Sequence, residues 1–214
     1  MRDIVIYGAQ GMGREVLWLI ESINALRPTW NVLGFLTDEE FQEFWGRKLN
    51  GYQVLGGMDW LNNYTAEIYA ICALGKGTTR QAIYDKITRL PNVRLATLVD
   101  PSVRVDPTVK IGPGSMICCN CIVTVNINLG KGILMNTGAS VGHDAIVGDY
   151  CTFHTKSMIS GYTTIGEHCE IGSGAFILQR KTVVANTVIA PLSSVLTDIK
   201  EPGSYAGNPV RRMR

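Results

Sequence analysis

Histidine is scarce, with three in 214 residues, and charge is thin, since Asp, Glu, Lys and Arg make up 18% of the chain. Twenty basic residues against eighteen acidic ones leave a formal net charge of +2, and the only basic cluster is the tail Arg211, Arg212 and Arg214. Without a basic patch there is no electrostatic footprint for nucleic acid. No apolar run is long enough for a signal peptide or a membrane span, and Met1-Arg2-Asp3 leads straight into a strand-like segment. A cytoplasmic protein without a membrane partner is therefore expected. Six cysteines are present, yet Cys118, Cys119 and Cys121 crowd one short stretch, too close together to make a tetrahedral metal site unaided.

What the chain has instead is a period. Every sixth residue from Val105 to Val195 is apolar, sixteen positions without a miss, beginning Val105, Ile111, Ile117, Val123, Leu129 and Met135. Four places after most of them stands a small residue, as at Ser115, Cys121, Ala139, Cys151 and Cys169, and the place just after the apolar residue is often glycine, as at Gly112, Gly130, Gly142, Gly148, Gly166 and Gly172. A period of six fits neither an amphipathic helix nor a hairpin, and a sandwich of alternating strands would drift out of it within a few turns. It predicts a hexapeptide β-helix, three faces of six residues to a coil, with residue i beneath residue i+18. The sixth residues point inward, the small ones fit the corners, and glycine is expected to turn each corner. Cys151 and Cys169, eighteen apart, then stack as buried thiols that serve as small hydrophobes.

The first half reads differently. Asp3 to Gly8 is a short apolar strand ending in glycine, and Val16, Leu17, Leu19, Ile20 and Ile23 mark a helix from Arg14 to Leu26. Between them Gly8-Ala9-Gln10-Gly11-Met12-Gly13 is a tight turn whose spacing, GxxGxG, differs from the dinucleotide fingerprint. It either brings backbone N–H groups to a phosphate or only turns the chain. Asp38, at the end of a second strand from Val32 to Leu36, either grips a ribose or base or caps the next helix. A third strand, Ile68 to Leu74, runs into Gly75-Lys76-Gly77 at the sheet edge where ligands of open α/β sheets bind. The expected organisation is a Rossmann-like domain over residues 1–98 and a β-helix over 99–214.

His143, His154 and His168 occupy different places in the eighteen-residue coil and project from three faces, so one chain cannot gather them round a zinc. A trimer of coils with histidines between subunits is the plan of the gamma-class carbonic anhydrases, whose spacings are absent here. His143 lies two places after an apolar position and projects outward. Either its imidazole serves as a general base whose tautomer Asp144 fixes, or it is a surface histidine beside a solvated aspartate. Eighteen residues on is Gly161, whose bare backbone leaves room for a thioester carbonyl and whose N–H is a candidate oxyanion donor.

Taken together, Tyr7 to Gly13, Gly34 to Asp38, Val54-Leu55-Gly56, Leu98 to Ser102, Asn136 to Asp144, Ile146 to Tyr150, Ser160-Gly161 and Gly207 to Val210 resemble the bacterial nucleotide-sugar acetyltransferases of the left-handed β-helix class, of the bacillosamine-pathway N-acetyltransferase and sialic acid O-acetyltransferase type. The resemblance spans essentially the whole chain. It implies a homotrimer, a nucleotide-linked amino sugar bound by the N-terminal domain, and acetyl-CoA in the groove between coils, with no metal. His143 matches the base and Asp144 the acid that follows it. Gln10, Gly11, Met12, Thr37, Asp38 and Gly75 match the sugar-nucleotide pocket, and Thr152, Ser173 and Pro191 match coenzyme contacts. Met12 and Thr152 stand where histidines are usual, and Thr37 where an acid is usual. Transfer to a hydroxyl, or a trimer that binds the sugar nucleotide without catalysis, are the alternatives.

Overall fold

The structure, a computed structural model, describes residues 1–213; Arg214, the end of the basic tail, lies outside them. The chain opens with strand β1 (Arg2–Tyr7), helix α1 (Gly11–Leu26), β2 (Trp30–Leu36), a 3-10 turn at Glu39–Phe44, β3 (Lys48–Leu49), β4 (Tyr52–Gly56), α2 (Met58–Asn62), β5 (Ile68–Cys72), α3 (Gly77–Ile87) and β6 (Val93–Leu95). These six strands form one sheet in the order β3-β4-β2-β1-β5-β6, parallel except for β3. As the central strand of a covered parallel sheet, β1 is apolar on both sides. Ile4 and Ile6 pack with α1, while Val5 and Tyr7 pack with the buried residues of α3 on the other face. That alternation is the period of two that a pleated strand imposes.

From β7 (Leu98–Val99) onward the chain is a left-handed parallel β-helix. Its strands are two or three residues long and pair eighteen residues apart, as in Leu98 with Met116, Leu134 with Thr152, and Ile122 with Ser140. The inward sixth residues from Ile117 to Val195 are all buried in one continuous core, and Cys121, Ala139, Cys151 and Cys169 fill its corners. All six cysteines are free. The change of sheet falls between Leu95 and Leu98, because Leu98 already pairs into the coil. The hairpin Gly203–Gly207 and Val210–Arg212 closes the last turn.

Two expectations change here. Val105 is 37% exposed, because the first coil lacks a full layer beneath it; the core begins with Val103 and Ile117. Nor do the glycines after the sixth residues make the corners. The left-handed backbone recurs every six residues at fourteen successive places from Gly114 to Leu192, and ten of these are not glycine: Asn120, Asn126, Asp144, Tyr150, Lys156, Tyr162, His168, Arg180, Asn186 and Leu192. Each costs about 1 kcal/mol or more, which the ladders and core must offset. The glycines Gly112, Gly142 and Gly166 instead lie flat on the next coil, where a Cβ would meet backbone atoms at 2.5, 2.7 and 2.3 Å.

Candidate active site

A cavity of about 290 Å³ opens where β1, β2 and β5 end, the point at which strand order reverses in this sheet. Gln10, Gly11, Met12, Thr37, Asp38 and Gly75, all six residues anticipated there, line it, with Tyr7, Phe41 and Phe44. Gly8 adopts φ +114°, and a Cβ on Gly13 would lie 1.9 Å from the Gly8 carbonyl oxygen, so this turn cannot form with larger residues. Tyr7 Oη donates to Asp38 Oδ1 at 2.5 Å, and Trp45 Nε1 donates to Thr37 Oγ1 at 2.9 Å. Burial, then the Asp38 bond, hold the Tyr7 phenol well above its ordinary range, so it remains a donor. Asp38 precedes the 3-10 turn but its carboxylate makes no cap; of the two readings offered by sequence, it faces the cavity. Among the described residues Asp38 is the only charged side chain on the lining, and Lys76, exposed at the start of α3, is not part of it.

His143 sits at a corner of the coil with its side chain 52% exposed. Its Nδ1 donates to Asp144 Oδ2 at 2.8 Å, which leaves Nε2 with the free lone pair. Asp144 holds a left-handed φ of +58°, its N–H bonds the Val125 carbonyl at 3.1 Å, and Asn126 Nδ2 donates to its Oδ1 at 3.2 Å. The imidazole lies over Gly161, where an added Cβ would sit 2.6 Å from Nε2. Gly161 N–H makes no hydrogen bond among the described residues. Tyr162 meets the imidazole edge to face, centroids 5.1 Å apart at 90°, and the Arg180 guanidinium lies over the Tyr162 ring at 5.2 Å. Tyr162 escaped sequence reading; its signal was its place one coil beyond Asp144.

The three coenzyme residues divide. Ser173 and Pro191 line a shallow groove of about 250 Å³ at another corner, beside His154, Glu170 and Gly172. Thr152, expected with them, is fully buried: its hydroxyl donates to the Gly75 carbonyl at 2.7 Å and accepts from Arg80 at 3.0 Å. It therefore joins the two halves of the chain instead of facing the groove. Arg80 was not anticipated. It falls on the buried stripe of α3 with Gly77, Ile83, Tyr84 and Ile87, and an arginine on such a stripe was the available clue. Of the apolar residues that point outward from the coil, Met116 and Leu134 are covered by the chain's own α1 region, whereas Ile122, Ile146 and Met158 remain 58, 53 and 47% exposed. Those three flank the His143 corner. The N-terminal sheet docks on the face carrying Met116, Leu134 and Thr152, which is the face opposite that corner. The cavity and His143 thus occupy different sides of a single chain.

Residues 3–87 match the PglD N-terminal domain family. Across its length the chain is similar to a GDP-perosamine N-acetyltransferase of Escherichia coli O157:H7, 29% identical over 98% of this chain and 95% of that one. Among solved structures it is similar to the acetyltransferase domain of PglB from Neisseria gonorrhoeae, with 28% identity, a TM-score of 0.89 and complete coverage of both chains; that domain has also been solved with acetyl coenzyme A. WeeI from Acinetobacter baumannii is similar too, with 26% identity, a TM-score of 0.86 and complete coverage of both chains.

Proposed function

We propose that this chain is a nucleotide-sugar acetyltransferase built on a left-handed β-helix, which transfers the acetyl group of acetyl-CoA to the amino group of a nucleotide-linked sugar. The full-length likeness to a GDP-perosamine N-acetyltransferase supports an amine acceptor. The observation that carries the mechanism is the His143 corner: an open imidazole with Nδ1 tethered to Asp144, seated on a glycine.

In this reading His143 Nε2 takes a proton from the sugar amine as its nitrogen attacks the thioester carbon. The Gly161 N–H, free of other partners, receives the developing oxyanion. The new C–N bond forms, the C–S bond breaks, and the coenzyme leaves as a thiolate that takes up the proton held by the imidazolium. Asp144 orients the ring and stabilises its charged form. The acceptor's nucleotide occupies the cavity of Gln10 to Met12, Thr37, Asp38 and Gly75, and the coenzyme lies along the groove of Ser173 and Pro191.

Because cavity and base lie on different sides of one chain, the working site joins the cavity of one copy to the His143 corner of the next, in a homotrimer. The exposed Ile122, Ile146 and Met158 around that corner support it, being more apolar surface than a monomer commonly leaves in one place. Thiol release from acetyl-CoA across a panel of GDP-, UDP- and dTDP-linked amino sugars tests the activity. Release with an amino sugar and none with its hydroxyl analogue is expected; release with no member of the panel contradicts it.

A further inference from the structure

Arg80 is fully buried and makes no salt bridge among the described residues; the Glu170 carboxylate acts on it only from beyond ion-pair distance. Its Nε donates to the Gly132 carbonyl at 3.0 Å, Nη1 to the Leu74 and Gly75 carbonyls at 2.8 and 2.7 Å, and Nη2 to the Tyr150 and Cys151 carbonyls at 3.3 and 3.0 Å and to Thr152 Oγ1 at 3.0 Å. Burial draws its pKa down, partly offset by nearby groups that include Glu170, and six neutral acceptors surround the guanidinium, which is how a buried charge without a direct ion-pair partner is tolerated. Its partners are three segments: the edge after β5, which lines the cavity, and the corners of two successive coils.

The captured carbonyls have a consequence on the other side of their peptides. In a trans peptide the C=O and N–H point in opposite directions. Drawing the Leu74 carbonyl toward Arg80 therefore turns the N–H of Gly75, a lining residue of the cavity, away from the guanidinium; drawing the Gly75 carbonyl does the same for the N–H of Lys76, which follows just off that lining. Neither N–H has a hydrogen-bond partner among the described residues, and the space where a Gly75 side chain would stand is empty to 4 Å. The same cavity has no cation on its lining, only Asp38. A diphosphate entering it must be met by neutral donors, and the edge that Arg80 braces supplies the Gly75 N–H on the lining with the Lys76 N–H next to it.

We propose that Arg80 is a positioning residue for the acceptor: it holds the β5–α3 edge from behind so that the Gly75 and Lys76 N–H groups receive the diphosphate of the nucleotide sugar, and Thr152 fastens the same edge to the coil. The inference rests on the acceptor reading above. Its test is calorimetric binding of GDP, UDP and dTDP to the wild type and to Arg80→Lys, with the KM for acetyl-CoA measured in parallel and circular dichroism as the check on folding. Lysine keeps the charge but has three donors and no fork, so the carbonyl pair is lost. For whichever diphosphate the wild type binds, Arg80→Lys should weaken Kd about tenfold or more, while the KM for acetyl-CoA moves by less than about threefold. A folded Arg80→Lys with wild-type Kd overturns the role of Arg80 alone. Wild-type protein that binds none of the three overturns the acceptor reading and this inference with it. Should Arg80→Lys fail to fold, Thr152→Val removes the Gly75 hydroxyl bond at nearly constant volume. It should weaken Kd by roughly three- to tenfold, and an unchanged Kd in that variant overturns the proposal.

Discussion

Two sides of the same coil have opposite fates. On the side of Met116, Leu134 and Thr152, strand positions that point outward are fully buried, because the N-terminal sheet and α1 cover them and Arg80 ties the junction. At the corner of His143, equally outward and apolar positions, Ile122, Ile146 and Met158, lie bare. The repeat is the same on both sides and so is the eighteen-residue register. What differs is who covers the surface: the chain itself on one side, and on our account a second copy on the other. In a solenoid, outward apolar residues report a partner without saying which.

The largest expected difference between the sides is chemical. His143→Ala should lower kcat roughly 10²–10⁴-fold, the usual worth of a general base, with melting behaviour unchanged because the side chain is half exposed. Near-normal turnover in a folded protein would move the base elsewhere, to His154 first. Leu134→Asp, on the covered side, buries an unpaired carboxylate and should destabilise the fold by about 3–5 kcal/mol, read as a loss of several degrees or more in Tm. Ile122→Asp, on the bare side, should instead leave secondary structure intact and shift sedimentation toward the monomer; equal losses of Tm for both would erase the distinction drawn here. Gly161→Ala forces a methyl to within 2.6 Å of Nε2 and should cost about tenfold or more in kcat by displacing the imidazole, with KM for the acceptor little changed. Smallest is Asp38→Ala, expected to raise the acceptor's KM by roughly tenfold through one lost charged hydrogen bond, with acetyl-CoA unaffected. Equal changes for both substrates would mean that Asp38 serves only to hold Tyr7.

Much of this could be read from residue types because it depends on period. The inward sixth residues and the i+18 stacking were visible without coordinates, as was His143 above Gly161. The corners were not. Their left-handed backbone falls on Asn, Asp, Tyr, Lys, His, Arg and Leu, so no single residue type marks it, and glycine drew attention to the wrong place. In the N-terminal half the cavity residues were legible because a glycine turn and strand ends have local signatures. Thr152 was misplaced for a different reason. Its role depends on Arg80, seventy-two residues away, and no local pattern in either segment announces a bond between two loops. The same limit applied to Met116 and Leu134, whose cover comes from another part of the chain.

The central claim is that one copy's cavity serves the next copy's His143. It is tested most directly by co-expressing two inactive variants, His143→Ala and Gly11→Trp, the latter filling the cavity mouth at a position with open space around it. A site is whole wherever an intact His143 faces an intact cavity on its neighbour, which is one site in three of every mixed trimer and, with random mixing, about one site in four of the whole cyclic population. The account predicts recovery to about a quarter of wild-type activity at equal expression by that reckoning. Mixed trimers no more active than either parent would contradict it and place cavity and base within one chain.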